Sequence, residues 1–349
     1  MNKITRKELK ERNNHYEGTI NTLLCFISLT TWGGGQRNEN TFYSFGRRMT
    51  TSGSNPVSPN QEITPDAVIQ VLDDQGFVVE AKITLPMDET YWEKILEQLR
   101  KYDDDLVGWW TENSHINRRN AILLIHMARG ADFNRFMASQ IEKGLYPSNN
   151  NVVGIEFVLS RELKEYILFR TRWGIDKIYD QILADKLLRG VPVPLEEVKV
   201  SYANIKFYDC RPEPEYLLST IWQDILTHLA REVDFNKRLN CYPINISIQS
   251  LTRELQKSFG SKALQQSCNL RENDEREVEY PELSWVREAL ELLIKLELAS
   301  RLSENEYTVY FRHLKLRQER DLIDYFSRYR TKKELISEEG QQPLPFADT

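Results

Sequence analysis

The chain has 349 residues, of which 40% are hydrophobic and 28% charged, with a formal net charge of −6 and four cysteines. This is an ordinary soluble globular composition, and the length suggests two domains or one domain with a large extension. The acidic balance excludes whole-molecule attraction to nucleic acid, so any such binding must come from local basic patches. The longest apolar runs are too short to span a bilayer, and no secretory apolar run follows the basic N-terminus. Cys25, Cys210, Cys241 and Cys268 are scattered without metal-type spacing, which fits reduced thiols and a cytoplasmic location.

In chain order, residues 13 to 31 read as a helix, with Ile20, Leu23, Leu24 and Ile27 at helical spacing. Gly33, Gly34 and Gly35 break it and read as a loop, because no lysine-serine pair follows as in a phosphate-binding P-loop. Thr41 to Arg48 suggests a short strand. Ser52 to Gln61, rich in Ser, Pro and Asn, suggests a mobile loop beside a substrate groove.

The segment ITPDAVIQVLDDQGFVVEAK carries the most chemistry. Val68 to Leu72 and Phe77 to Ala81 are β-branched or apolar and flank turn residues, so they read as a hairpin. A three-residue turn, Asp74-Gln75-Gly76 with Gly76 left-handed, pairs Asp73 with Phe77. Counting outward with the two-residue period, Asp66, Glu80 and Lys82 then share one face; a two-residue turn would send Asp66 to the other. Two carboxylates can hold a hard cation such as Mg²⁺. The cation polarises a phosphate and acidifies a bound water, and the lysine orients that water or stabilises developing charge. Glu-x-Lys alone is a cheap pattern: it recurs at Glu8-Leu9-Lys10, Glu162-Leu163-Lys164 and Glu197-Val198-Lys199, where it reads as solvated charge. Pro65-Asp66 is the single Pro-Asp pair, and it stands just ahead of a strand.

Asp88 to Leu106 reads as a helix capped by Asp88, with Gln98 and Tyr102 one turn apart on one face. Asp103, Asp104 and Asp105 fan outward and read as a solvated face. Ala121 to Met127 is a buried strand with His126, read as structural, at its end. A helix at 132 to 143 and strands at Val152 to Leu159 and Tyr166 to Thr171 follow. Lys199 to Asp209 is strand-like. Trp109, Trp110 and Trp173 suit base stacking but read first as core.

Pro65-Asp66, Glu80-Ala81-Lys82 and Gln98-Leu99-Arg100-Lys101-Tyr102, in that order, resemble the PD-(D/E)XK nuclease superfamily in its RecB-like branch, over about residues 10 to 130. The resemblance implies an α/β fold with a restriction-endonuclease-like core, a central mixed sheet flanked by helices, over residues 1 to 210. It implies Asp66 and Glu80 as ligands of Mg²⁺, or of Mn²⁺ in its place. The Ala81 carbonyl would be a further ligand, Lys82 the catalytic lysine, and Gln98 and Tyr102 supports of the site. It also implies an acidic residue from the first helix, for which Glu17 is the candidate; an ordinary first-turn glutamate is the competing reading.

A second domain is expected over 211 to 326, opening at Arg211-Pro212-Glu213-Pro214. Helices at 214 to 232, Ser247 to Phe259 and Pro281 to Leu298 precede two short strands around Ser303-Glu304-Asn305, the order of a mainly α winged-helix domain. Its presumptive recognition helix sets Glu282, Glu288, Glu291 and Glu297 against Arg287 and Lys295, which suits protein docking as well as DNA. Arg312, Lys315 and Arg317 make the wing more basic. Residues 261 to 280 read as a loop and 327 to 349 as a disordered tail.

The expectation is a metal-dependent deoxyribonuclease of microbial defence, restriction, transposition or repair, acting alone, as a homo-oligomer or beside a partner subunit. RNA shares the phosphodiester. The alternative is a non-enzymatic winged-helix regulator built on a nuclease-like scaffold.

Overall fold

A computed structural model describes residues 5–33, 36–37, 41–52, 60–72, 74–111, 115–147, 150–160, 165–208, 210–260, 280–313 and 322–328. The chain divides into two compact units: Glu17–Asp209 with Ser258–Glu279, and Met1–Tyr16 with Cys210–Lys257 and Tyr280–Thr349. The first sixteen residues cluster with the second unit.

The first unit is α/β. Helix α1 (Arg6–Thr31) enters it and leads into a small antiparallel pair, β1 (Trp32–Gly33) with β2 (Gln36–Arg37). Then come β3 (Phe42–Phe45), β4 (Met49–Thr51), β5 (Glu62–Ile63), β6 (Ala67–Leu72), β7 (Gln75–Lys82), α2 (Glu89–Asp103), β8 (Leu106–Val107), β9 (Arg118–His126) and α3 (Met127–Glu142). The unit continues with β10 (Val152–Ser160), β11 (Tyr166–Trp173), α4 (Gln181–Arg189), β12 (Val191–Pro194) and α5 (Leu195–Ser201). Seven strands form one mixed sheet in the order β12-β11-β10-β9-β7-β6-β3. Its centre, β7, β9 and β10, is parallel and its flanks are antiparallel. The central mixed sheet flanked by helices is therefore present as expected.

Alternation on β7 assigns the two faces. Phe77 meets Phe26 of α1 at 6.5 Å between ring centroids. Val78 points the other way, into a core with Leu96 and Leu99 of α2 and Phe133 of α3. Glu80 and Lys82 share the parity of Val78 and so lie on the α2 side.

The hairpin corrects the sequence reading. Phe77 faces Ile69, not Asp73, a slip of four residues, and only residues 73 and 74 separate the paired Leu72 and Gln75. A two-residue turn alone would have reversed the face of Asp66. A β-bulge between Gln70 and Leu72 adds one residue and restores the parity. Gly76 is not left-handed; it pairs with Gln70 inside the strand. Glycine is needed there for space, since a Cβ would fall 2.3 Å from the Trp109 ring.

Other boundaries also moved. α3 begins at Met127 rather than 132, because the His126 side chain caps it: Nδ1 accepts from the Ala128 N–H at 3.3 Å. Asp88 caps α2 as expected, accepting from the Thr90 N–H at 3.0 Å. Lys199 to Tyr208 is not a strand, and Asp209 lies outside the described residues. The start of this segment belongs to α5, and among its described residues Phe207 alone forms a strand-like bridge, to Phe259. α4 and β12 were not foreseen; β12 carries Pro192 and Pro194, which an edge strand tolerates.

In the second unit, α6 (Pro214–Thr220) runs through a π-helical turn (Ile221–Leu226) into α7 (Thr227–Leu229) and a 3-10 turn (Ala230–Glu232), matching the helix expected at 214 to 232. β13 (Tyr242–Ser247), unforeseen, precedes α8 (Ile248–Gln256). Ser247 caps α8 by accepting from the Ser250 N–H at 3.1 Å. α9 (Leu283–Lys295), β14 (Ala299–Arg301) and β15 (Glu306–Phe311) follow, and the three strands form an antiparallel sheet in the order β13-β15-β14. The expected loop at 261 to 279, the wing residues Lys315 and Arg317, and the tail from 329 lie outside the described residues. Among the described residues no helix is long and apolar enough to cross a membrane.

Candidate active site

Asp66 stands one residue before β6, and the register that pairs Ala67 with Val79 sets it opposite Glu80. Its Oδ2 accepts the Ala81 N–H at 2.8 Å, which locks the carboxylate across the strand pair. Glu80 is buried, and both of its carboxylate oxygens have polar partners. Oε1 takes the Lys82 ammonium at 2.5 Å. Oε2 accepts from Gln98 Nε2 at 2.9 Å and from the Tyr102 hydroxyl at 2.9 Å. Gln98 also donates to the Tyr102 oxygen at 2.6 Å. The one-turn spacing on α2 thus serves a single carboxylate oxygen. Asp66, Glu80, Ala81, Lys82, Gln98 and Tyr102 are brought together by β6, β7 and α2.

The electrostatics follow from crowding two carboxylates where water is scarce. Burial, then the charge of Glu80, push Asp66 up to about 7, against the pull of Lys82 and the Ala81 N–H. Burial opposes the Lys82 charge, but Glu80 and Asp66 outweigh it and hold the ammonium above its ordinary range. Burial, with Glu80 and Asp66 beside it, keeps the Tyr102 hydroxyl protonated and therefore a donor.

Glu17 lies on α1, the helix whose Phe26 packs on the opposite sheet face from Glu80, and its Oε1 is 3.4 Å from Lys199 Nζ. Among the described residues no group of three or more His, Cys, Asp or Glu side chains is gathered that could hold a metal ion, so Glu17 does not complete such a group with Asp66 and Glu80.

The remaining candidates have structural duties. Asp103 accepts the Asn151 N–H at 2.7 Å, Asp104 ends α2, and Asp105 lies 3.5 Å from Arg119. Trp109 is buried in the core, Trp110 is covered by the Arg47 guanidinium at 4.0 Å, and Trp173 stacks on Phe133.

A second charged cluster on this sheet escaped the sequence reading. Glu156 on β10 is buried, and two arginines of β11 reach it: Arg170 Nε at 2.9 Å and Arg172 Nε at 3.5 Å. Gly130 of α3 lies so close above that a Cβ would sit 2.2 Å from Glu156 Oε1. The available signal was a lone acid in the apolar run VVGIEFVLS, followed by arginines at alternate positions in YILFRTRW.

No protein-family model, curated protein or solved structure matches the chain.

Proposed function

We propose that the first unit is a metal-dependent phosphodiesterase of the PD-(D/E)XK type, acting on DNA. The observation that carries this reading is the convergence of Asp66, Glu80 and Lys82 on one sheet face, with Gln98 and Tyr102 both spent on Glu80.

The donor set suits Mg²⁺, which is held by one or two carboxylates and keeps several waters. Burial and the repulsion of Glu80, which together lift Asp66, are what a divalent cation offsets. Asp66, Glu80 and the Ala81 carbonyl would hold the ion, which when bound polarises a phosphate and acidifies water. Lys82, kept protonated, positions the attacking water and stabilises negative charge on the phosphate. Gln98 and Tyr102 fix the Glu80 carboxylate in one orientation, so no reorganisation is required during reaction.

For the second unit we infer a winged-helix module. The order α6, β13, α8, α9, β14, β15 and the three-stranded sheet support it, and β13 supplies a strand the sequence reading lacked. On α9, Glu288 pairs with Arg211 and Glu291 with Arg301. These pairs spend basic side chains internally and favour docking to protein over reading of DNA.

The test is cleavage of plasmid, linear duplex and single-stranded DNA with Mg²⁺ or Mn²⁺, wild type beside Lys82→Ala. Cutting by wild type alone is expected. Equal cutting by both proteins would remove Lys82 from the mechanism, and no cutting by either would favour the regulator built on a nuclease-like scaffold.

A further inference from the structure

The Glu156 cluster lies in line with Lys82. Across the sheet Lys82 pairs with Ile125, Ile125 with Glu156, and Glu156 with Arg170. Partners in a ladder point to the same face, so Arg170 and Lys82 share both face and row. Three strand spacings of about 4.8 Å put their backbones about 14 Å apart.

One cation would neutralise Glu156, whose side chain is only 3% exposed. Two are supplied, which leaves one positive charge in excess. Both arginines reach Glu156 through Nε, and among the described residues the terminal amino groups of neither have a protein partner. The Arg170 and Arg172 side chains remain 49% and 34% exposed. A buried carboxylate thus anchors both guanidinium groups through Nε, the Arg170 group by a hydrogen bond, and leaves their terminal amino edges to other partners. Such edges match the paired oxygens of a phosphate, and the surplus charge matches the single charge of a phosphodiester.

We infer that Arg170 and Arg172 form a fork that binds the phosphodiester backbone of a nucleic-acid strand whose scissile phosphate lies at Lys82, an assignment that rests on the nuclease reading. Glu156 is a positioning residue. The separation of about 14 Å requires the strand to continue past the scissile phosphate before it reaches the fork. The fork therefore engages only strands that extend beyond the scissile phosphate by that length.

The test uses the full chain with Lys82→Ala in every arm, so that DNA survives, and fluorescence anisotropy of a labelled single strand at several salt concentrations. Adding Arg172→Ala should weaken binding about tenfold and reduce the salt slope by about 0.7, the value for one phosphate contact on a single strand. Arg172→Lys keeps the ion pair with Glu156 and the fold but loses the fork, so it should also weaken binding. A strand that ends at the scissile position should erase the difference between the proteins. Unchanged affinity and slope in both arginine variants, or no binding before they are introduced, would overturn the fork. Full displacement by equimolar inorganic phosphate would overturn it too, by making free phosphate the ligand. Cutting is read separately with Lys82 restored: an Arg172→Ala protein that cuts and binds like wild type sinks the fork alone, whereas a wild type that binds through the fork but never cuts sinks the nuclease reading alone.

Discussion

Glu80 and Glu156 are both carboxylates buried on the same face of one sheet, and their neighbours give them opposite character. Glu80 shares its site with a second carboxylate, Asp66, and one cation, Lys82, so the cluster is short of positive charge. Glu156 pairs with two arginines, and among the described residues no second acid pairs with them. The first arrangement calls for a cation and the second for an anion. What differs is stoichiometry more than residue type: a buried acid is tolerated wherever partners satisfy it, and the charge left over decides what the site attracts.

The largest effect should come from removing the cation of the first cluster. Lys82→Ala is expected to lower metal-dependent cutting by about a thousandfold or more while the circular dichroism spectrum stays unchanged. Retained cutting would break the contrast, because Lys82 would then be only the structural partner of Glu80.

Stability should respond most at the glycines that admit close packing. Gly130→Ala drives a methyl group into Glu156 and should cost about 1–3 kcal/mol in denaturant unfolding, as should Gly76→Ala against Trp109. A neutral Gly130→Ala would mean that Glu156 can move aside and is not held as the fork requires.

Acidity should separate the clusters next. The carboxyl of Asp66 sits at about 7 against an ordinary 3.8, so the folded chain favours its protonated form. The resulting stability is complete below the ordinary value and is lost as pH rises through about 7. Thermal melts of the metal-free protein should decline over that window, and Asp66→Asn should flatten the decline. Binding of Mg²⁺, followed by calorimetry, should tighten over the same window because it takes the ionised carboxylate. A melt profile identical in both proteins would mean that Asp66 is ionised throughout.

The smallest effect belongs to the anchors of Glu80. Tyr102→Phe leaves Gln98 on the same oxygen and should cost about 1 kcal/mol, with a fall in cutting of about tenfold or less. Pairing it with Gln98→Ala should cost more than the two single losses together, since Glu80 would then lose both donors on that oxygen.

The site was legible in sequence wherever it rests on local periodicity. The spacing of Gln98 and Tyr102 gave their shared face, Asp88 announced the helix start, and alternation along Phe77 to Lys82 placed Glu80 beside Lys82. The hairpin shows the limit of such reasoning. A register slipped by four residues still puts Asp66 with Glu80, because four is even, but the turn that achieves it needed a bulge that local patterns did not announce. Gly76 was read as a turn residue when its task is to admit Trp109, a neighbour thirty-three positions away.

Side-chain pattern alone set helices α1, α2, α3, α6, α8 and α9, the hairpin strands and the grouping of Asp66, Glu80 and Lys82, because helical and strand periods are properties of neighbouring residues. The joining of the first sixteen residues to the C-terminal unit, the placing of Glu17 against Lys199 and the row from Lys82 to Arg170 were decided only in three dimensions. Parallel pairing of β7, β9 and β10 joins segments separated by whole helices, and its register is set by how α2 and α3 pack on the sheet, which no local period encodes.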